Sequence, residues 1–183
     1  MPEVTPERAD PPVKLREFIR DIPDYPREGV LFRDITPLLG SGAAFRSACD
    51  QLAARFAASD LDAVATIESR GFTFGAVIAY QLGLGVVPVR KAGKLPWATL
   101  SASYSLEYGE AVLEVHRDAI APGARVLVVD DLLATGGTAV ATRKLIEELR
   151  GEVVAFGFLI ELLELGGRAR LGETARVEAL LSL

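Results

Sequence analysis

The residues best equipped for chemistry lie between Arg125 and Thr138, in the stretch RVLVVDDLLATGGT. Two adjacent carboxylates, Asp130 and Asp131, follow an apolar run over 126–129, and Ala134-Thr135-Gly136-Gly137-Thr138 closes the stretch. Glycines allow backbone N–H groups to converge on one point, where an anion can sit, and the start of a following helix adds positive potential there. Two Asp residues just upstream suit sugar hydroxyls or a hydrated Mg²⁺. A phosphate with a ribose beside it satisfies both halves.

Two further polar stretches stand at the ends of apolar runs. Glu68-Ser69-Arg70-Gly71 follows the run 62–67. It reads as an anion site, or as a capped helix start with Arg70 in a surface ion pair. Arg90-Lys91-Ala92-Gly93-Lys94 follows the run 86–89. Cations around a glycine can be a solvated loop, but at the presumed ligand edge they favour phosphate binding.

These stretches need elements to hold them. Residues 1–12 carry Pro2, Pro6, Pro11 and Pro12 among charges and read as a loosely held tail. Leu15, Phe18, Ile19 and Ile22 keep helical spacing, predicting a helix over 13–22 that Pro23 and Pro26 end. Residues 29–39, between prolines, read as an irregular surface segment, in which Leu31 and Phe32 either plug the loop to the core or line a flat ligand pocket. A helix is predicted over 42–59, with Cys49 packed on its apolar face. A strand over 62–67, a helix over 72–82 and a strand over 86–89 follow. Residues 95–107 read as a mobile loop or hairpin, a plausible lid, and 111–116 alternate as a strand does. His116, the single histidine, has no His or Cys cluster near it, so a structural role is preferred to a metal site. A strand over 125–129, a helix over 139–150, a strand over 152–162, a turn with a short helix over 163–171 and a strand over 176–183 complete the chain. Strands alternating with helices predict an α/β fold: a twisted, mainly parallel sheet with helices on both faces, in a single domain over 13–183.

Composition bounds the function. The 183 residues are 50% hydrophobic and 25% charged, as in an ordinary globular protein. A net charge of −5 argues against a nucleic-acid-binding surface. One cysteine fits a reducing cytoplasm, and neither a membrane span nor a signal-peptide core is evident. There is no G-x-x-x-x-G-K-[ST], and no G-x-G-x-x-G after the first strand, which disfavours a P-loop and a dinucleotide fold.

The apolar strand, Asp130-Asp131 and the turn to Thr138 together resemble the phosphoribosyl-pyrophosphate (PRPP) signature of type I phosphoribosyltransferases. VLFRDITPLL (30–39), ESRGFTFG (68–75) and RKAGKLPW with SYSLEYG (within 90–109) resemble adenine phosphoribosyltransferases. The resemblance implies the type I fold with a small hood and a flexible lid loop. It implies purine salvage: transfer of phosphoribose from PRPP to N9 of adenine, giving AMP and pyrophosphate, with Mg²⁺, in a cytoplasmic homodimer that engages neither nucleic acid nor membrane.

Residue roles follow from the same resemblance. Asp130 and Asp131 hold the ribose hydroxyls, directly or through Mg²⁺-bound water, with no direct protein ligand of the metal certain. Ala134, Thr135, Gly136, Gly137 and Thr138 bind the 5′-phosphate. Ser69, Arg70 and Lys91 take the pyrophosphate, with Arg90 and Lys94 as weaker candidates, and the Glu68–Ser69 peptide is expected to be cis. Adenine lies against Phe32, with Leu31 and Arg33 beside it. Glu107 is the proposed general acid/base, and Tyr104 resembles a lid residue. Glu68 stands where Asp is common, a conservative change that keeps the charge, and Trp97 stands where small residues are frequent, which puts lid mobility in question. A transferase for another nucleobase and a PRPP- or purine-sensing regulator are the alternatives; 30–33, Glu107 and the acidic balance speak against them.

Overall fold

The computed structural model describes residues 13–105, 110–172 and 175–183, without the side chains of Ser105 and Glu110. The tail over 1–12 and the lid residues 106–109 lie outside the described residues. The chain divides into two compact units, Met1–Ser47 and Ala48–Leu183.

In the first unit a single 3₁₀ turn, Leu15–Phe18, precedes strand β1 (Arg20–Ile22), which pairs antiparallel with β2 (Phe32–Asp34). This corrects the helix expected over 13–22. The reason lies across the ladder: Arg20 faces Asp34 and Asp21 faces Arg33 in register, so opposite charges meet on both pairs. The Arg33–Asp21 contact is 2.6 Å and the Arg20–Asp34 contact 3.7 Å. The segment expected to be irregular over 29–39 instead holds β2 and helix α1 (Thr36–Gly40). Asp34 accepts from the Thr36 N–H (2.9 Å) and Oγ1 (2.8 Å), and Pro37 pre-sets the first helical turn. Helix α2 (Gly42–Phe56) follows.

The second unit contains β3 (Ala63–Ile67), α3 (Gly71–Leu82), β4 (Gly85–Lys91), β5 (Thr99–Ser105), β6 (Glu110–His116), β7 (Arg125–Leu133), α4 (Gly137–Glu148), β8 (Glu152–Glu161), α5 (Gly167–Arg170) and β9 (Arg176–Ser182). They build one seven-stranded sheet in the order β5-β6-β4-β3-β7-β8-β9. β4, β3, β7, β8 and β9 are mutually parallel, and β6 of the β5–β6 hairpin pairs antiparallel with β4. Of the two readings of 95–107, the described part is the hairpin.

Side-chain alternation assigns the helices to faces. Thr66 meets Gly75 of α3, and Gly157 of β8 meets Phe56 of α2. Their strand neighbours Ala65, Ile67, Phe156 and Phe158 instead join Ala139, Leu145 and Ile146 of α4 in one apolar cluster. Thus α3 and residues 48–56 of α2, which belong to the second unit, cover one face and α4 the other. Cys49 is buried and free, as its position on the apolar face of α2 predicts. Burial pushes its thiol up to about 11, the behaviour of a packing residue rather than a nucleophile.

Two strand ends differ from expectation, and both matter for the site. β4 continues through Arg90 and Lys91, because β6 pairs with both residues. β7 continues through both aspartates to Leu133, although Asp is a poor strand former. Its ladder with β3 stops at Val129, whereas its ladder with β8 runs on through Asp130, Leu132 and Leu133. Asp130 and Asp131 are therefore held by β8 beyond the point where β3 ends.

Candidate active site

The chain leaves β3 toward β4 on one side, and β7 lies on the other side of β3. Their helices α3 and α4 also take opposite faces. A crevice opens at the carboxyl ends of such neighbours, where ligands of open α/β sheets bind. The three polar stretches meet at that edge: residues 68–71 after β3, 90–94 around the end of β4, and 130–138 on β7 and the loop behind it.

The turn after β3 is pressed against the end of β7. A Cβ on Gly71 would lie 2.8 Å from Asp130 Oδ1 and 3.1 Å from the Val129 carbonyl, so only glycine fits that position without a shift. Arg70 Nε lies 2.6 Å from Asp131 Oδ2, and Asp131 is buried. The Glu68–Ser69 peptide is cis, as the resemblance implies. Asp130 Oδ1 accepts the Asp131 N–H at 2.8 Å. Burial, and then the neighbouring Asp131 charge, push the Asp130 carboxyl well above its ordinary range, and the Arg70 charge opposes this.

Behind the aspartates, residues 134–138 form the expected loop and helix start. Gly136 has φ +79° and caps α4, a conformation that favours glycine. Asp130, the loop residues Ala134, Thr135, Gly136, Gly137 and Thr138, and Phe158 line a cavity of about 60 Å³ at the N-terminal end of α4. Unpaired N–H groups of the first helical turn and the helix dipole make such a cavity attractive to a phosphate-sized anion.

Glu68 carries a role that the sequence reading left out. Its carboxylate accepts the Lys91 N–H at 3.0 Å and the Arg90 Nε–H at 3.2 Å, and the Glu68 N–H donates to the Val89 carbonyl. Arg90 also donates to the Lys94 carbonyl at 3.1 Å. Arg90 is thus a brace between two turns, while Lys91 is exposed. Glu114 of β6 accepts the Gly93 N–H at 2.9 Å, fixing the far side of the same loop. A carboxylate directly at the end of one strand, with cations at the end of the next, is the signal that would have revealed Glu68.

The remaining expected residues fall elsewhere. Leu31, Phe32 and Arg33 belong to the first unit. Phe32 stands edge-on to Tyr25 with ring centroids 5.1 Å apart, Leu31 is exposed, and Arg33 is held by Asp21. Tyr104 lies on β5, partly buried against the apolar cluster of the second unit. Glu107 lies outside the described residues. His116 has its Nε2 buried without a partner, and among the described residues no group of His, Cys, Asp and Glu is arranged to hold a metal by itself. No described helix is long and apolar enough to cross a membrane.

A phosphoribosyl transferase domain model matches residues 39–173, which contain the crevice and the anion loop together. The chain belongs to the adenine phosphoribosyltransferase family. It is 55% identical over 159 residues to the enzyme of Roseiflexus sp., covering 87% of this chain and 92% of that one. It is 57% identical over 157 residues to that of Cereibacter sphaeroides, covering 86% and 88%. Among solved structures, the adenine phosphoribosyltransferase of Thermoanaerobacter pseudethanolicus superposes with a TM-score of 0.89 at 48% identity, covering 92% of this chain and 98% of that one. That of Saccharomyces cerevisiae, complexed with an imino-altritol bisphosphate and adenine, gives a TM-score of 0.85 at 40% identity, covering 91% and 96%.

The Glu68 brace is testable by pH. Burial raises its carboxyl, but the Lys91 N–H and the Arg90 guanidinium outweigh this and hold it below its ordinary range. A lowered carboxylate contributes stability above its unfolded pKa of roughly 4.3, and that contribution is lost as pH falls through the folded value. Glu68→Gln should cost about 1.5 kcal/mol at pH 7 in urea denaturation, and the difference should shrink toward zero as the pH is brought well below about 4. A difference independent of pH would contradict the brace.

Proposed function

We propose that this chain transfers phosphoribose from PRPP to N9 of adenine, releasing pyrophosphate and forming AMP in purine salvage. The observation that carries the reading is the crevice at the carboxyl ends of β3, β4 and β7, where a phosphate-sized cavity, paired aspartates and a cationic turn stand side by side.

Displacement at the anomeric carbon builds positive charge on the sugar and negative charge on the departing pyrophosphate. The 5′-phosphate sits in the loop Ala134–Thr138, on backbone N–H groups and the Thr135 and Thr138 hydroxyls. Asp130 and Asp131 face the ribose hydroxyls and favour charge developing on the ring. Their reading as sugar ligands is supported by their position on β7 past its ladder with β3, at the edge where the three polar stretches meet. Ser69, Arg70 and Lys91 receive the pyrophosphate, so they act where charge increases in the transition state. Arg90 and Lys94 shape that loop: the first through Glu68, the second through its carbonyl.

Two adjacent carboxylates are too few for a protein-built metal cage but suit Mg²⁺, which keeps most of its waters and binds substrate phosphates. When bound, Mg²⁺ supplies charge neutralisation to the pyrophosphate, and Asp130 and Asp131 would hold it through water. Adenine stacks on Phe32, with Leu31 and Arg33 beside it. Backbone groups of 30–33 complement its 6-amino group and N1, and a carbonyl at position 6 would leave an acceptor unpaired, which discriminates strongly. Glu107 exchanges the proton at the purine ring, and Tyr104 closes over the reaction centre. A homodimer in the cytoplasm belongs to the same reading, and the free Cys49 suits a reducing compartment.

Purified chain mixed with Mg²⁺, PRPP and one nucleobase at a time should form AMP from adenine. IMP or GMP as the main product would move the reading to another nucleobase, and no nucleotide at all would end it. Glu107→Ala should lower kcat by about 10²–10⁴-fold while PRPP affinity changes little. An unchanged kcat would remove its catalytic role.

A further inference from the structure

The back wall of the anion loop is formed by residues outside the loop itself. A Cβ on Gly167, the first residue of α5, would collide with the Ala134 carbonyl and stand 3.0 Å from the Gly136 N and the Leu133 Cδ1. A Cβ on Gly136 would in turn stand 2.8 Å from the Gly167 carbonyl. Two backbones thus touch directly, and one of them carries the N–H groups that line the cavity. Because the obstructing atoms are backbone, a side chain at 167 can be accommodated only by moving the loop.

α5 is too short to hold its place by its own hydrogen bonds. It is tied down by Arg168, whose Nε donates to Glu161 Oε1 at 2.9 Å and whose second guanidinium nitrogen donates to Oε2 at 2.5 Å. The remaining guanidinium nitrogen donates to the Val177 carbonyl of β9 at 2.7 Å. Glu161 is only 3% exposed, and it pairs in the β7–β8 ladder with Leu133, the residue from which the loop departs. The Leu162 N–H donates to the Leu133 carbonyl at 2.9 Å, closing the same corner. A bidentate Arg–carboxylate pair fixes geometry as well as energy.

We infer that Gly167, with the Arg168–Glu161 pair behind it, is a positioning element that sets the shape of the 5′-phosphate cradle. None of these residues touches the substrate. They hold the Gly136 N–H where a phosphate oxygen meets it. The inference rests on the proposed placement of the 5′-phosphate in 134–138, and it predicts an effect confined to one end of PRPP.

The test compares two ligands by titration calorimetry: ribose 5-phosphate, which uses the cradle, and Mg²⁺-pyrophosphate, which uses the turns after β3 and β4. Gly167→Ala should weaken ribose 5-phosphate binding by about tenfold or more and leave pyrophosphate affinity within about twofold. Arg168→Ala should show the same selectivity to a smaller degree, and Arg168→Lys, which keeps a charge beside the buried Glu161, should recover part of it. If Gly167→Ala does not fold, the Arg168 pair of variants decides. Equal losses for both ligands would mean a merely structural role and overturn the inference, as would ribose 5-phosphate affinity unchanged in both alanine variants. Wild-type chain that binds pyrophosphate but not ribose 5-phosphate would overturn the placement of the phosphate itself.

Discussion

The close approach of the turn after β3 to the end of β7 is the constraint on which the site depends. Asp130 occupies the space a side chain at position 71 would need, and Arg70 reaches Asp131 at 2.6 Å. The approach is possible because β3 pairs with β7 only as far as Val129, while β8 carries β7 onward. A second close contact keeps the arrangement in register: Gly75 of α3 lies against Thr66 of β3, so the helix rests flat on the strand that launches it. The groups proposed for the sugar and those proposed for the leaving group are therefore parts of one packed unit.

Electrostatics follows from that packing. Burial, and then the neighbouring Asp131 charge, raise the Asp130 carboxyl above its ordinary range. Arg70 compensates on one side. A substrate bringing Mg²⁺ and developing positive charge on its ring would compensate on the other, so the site is arranged for charge that arrives with the substrate and grows in the transition state. The cations of 90–94 are ordered by acids rather than left loose: Glu68 and Glu114 hold backbone N–H groups of that loop, and Arg90 is spent on Glu68. Lys91 is exposed.

Much of this was legible in the residues. The apolar runs of β3, β7 and β8 and the amphipathic α2 and α4 read directly, because burial imposes a period on side chains. The glycine-rich turn before α4 was legible because its chemistry is local. What stayed hidden depends on contacts distant in sequence. The charge-matched ladder of β1 and β2 overrode helical spacing in 15–22. Pairing with β8 carried two aspartates into a strand against their propensity. Gly71 and Gly167 carry no such local signal, and only the backbone or carboxylate standing opposite them shows why a side chain there would need a shift. Glu68 read as one charge in a turn until Lys91 and Arg90 were seen on it.

A double-mutant cycle on PRPP affinity tests the unity of the site most directly. Arg70→Ala, Asp131→Ala and the double variant would be titrated with PRPP in the presence of Mg²⁺. Groups that act together through one packed contact should show an interaction energy of roughly 0.5–3 kcal/mol. Losses that add to within about 0.3 kcal/mol would contradict a shared site and leave the two residues serving PRPP separately.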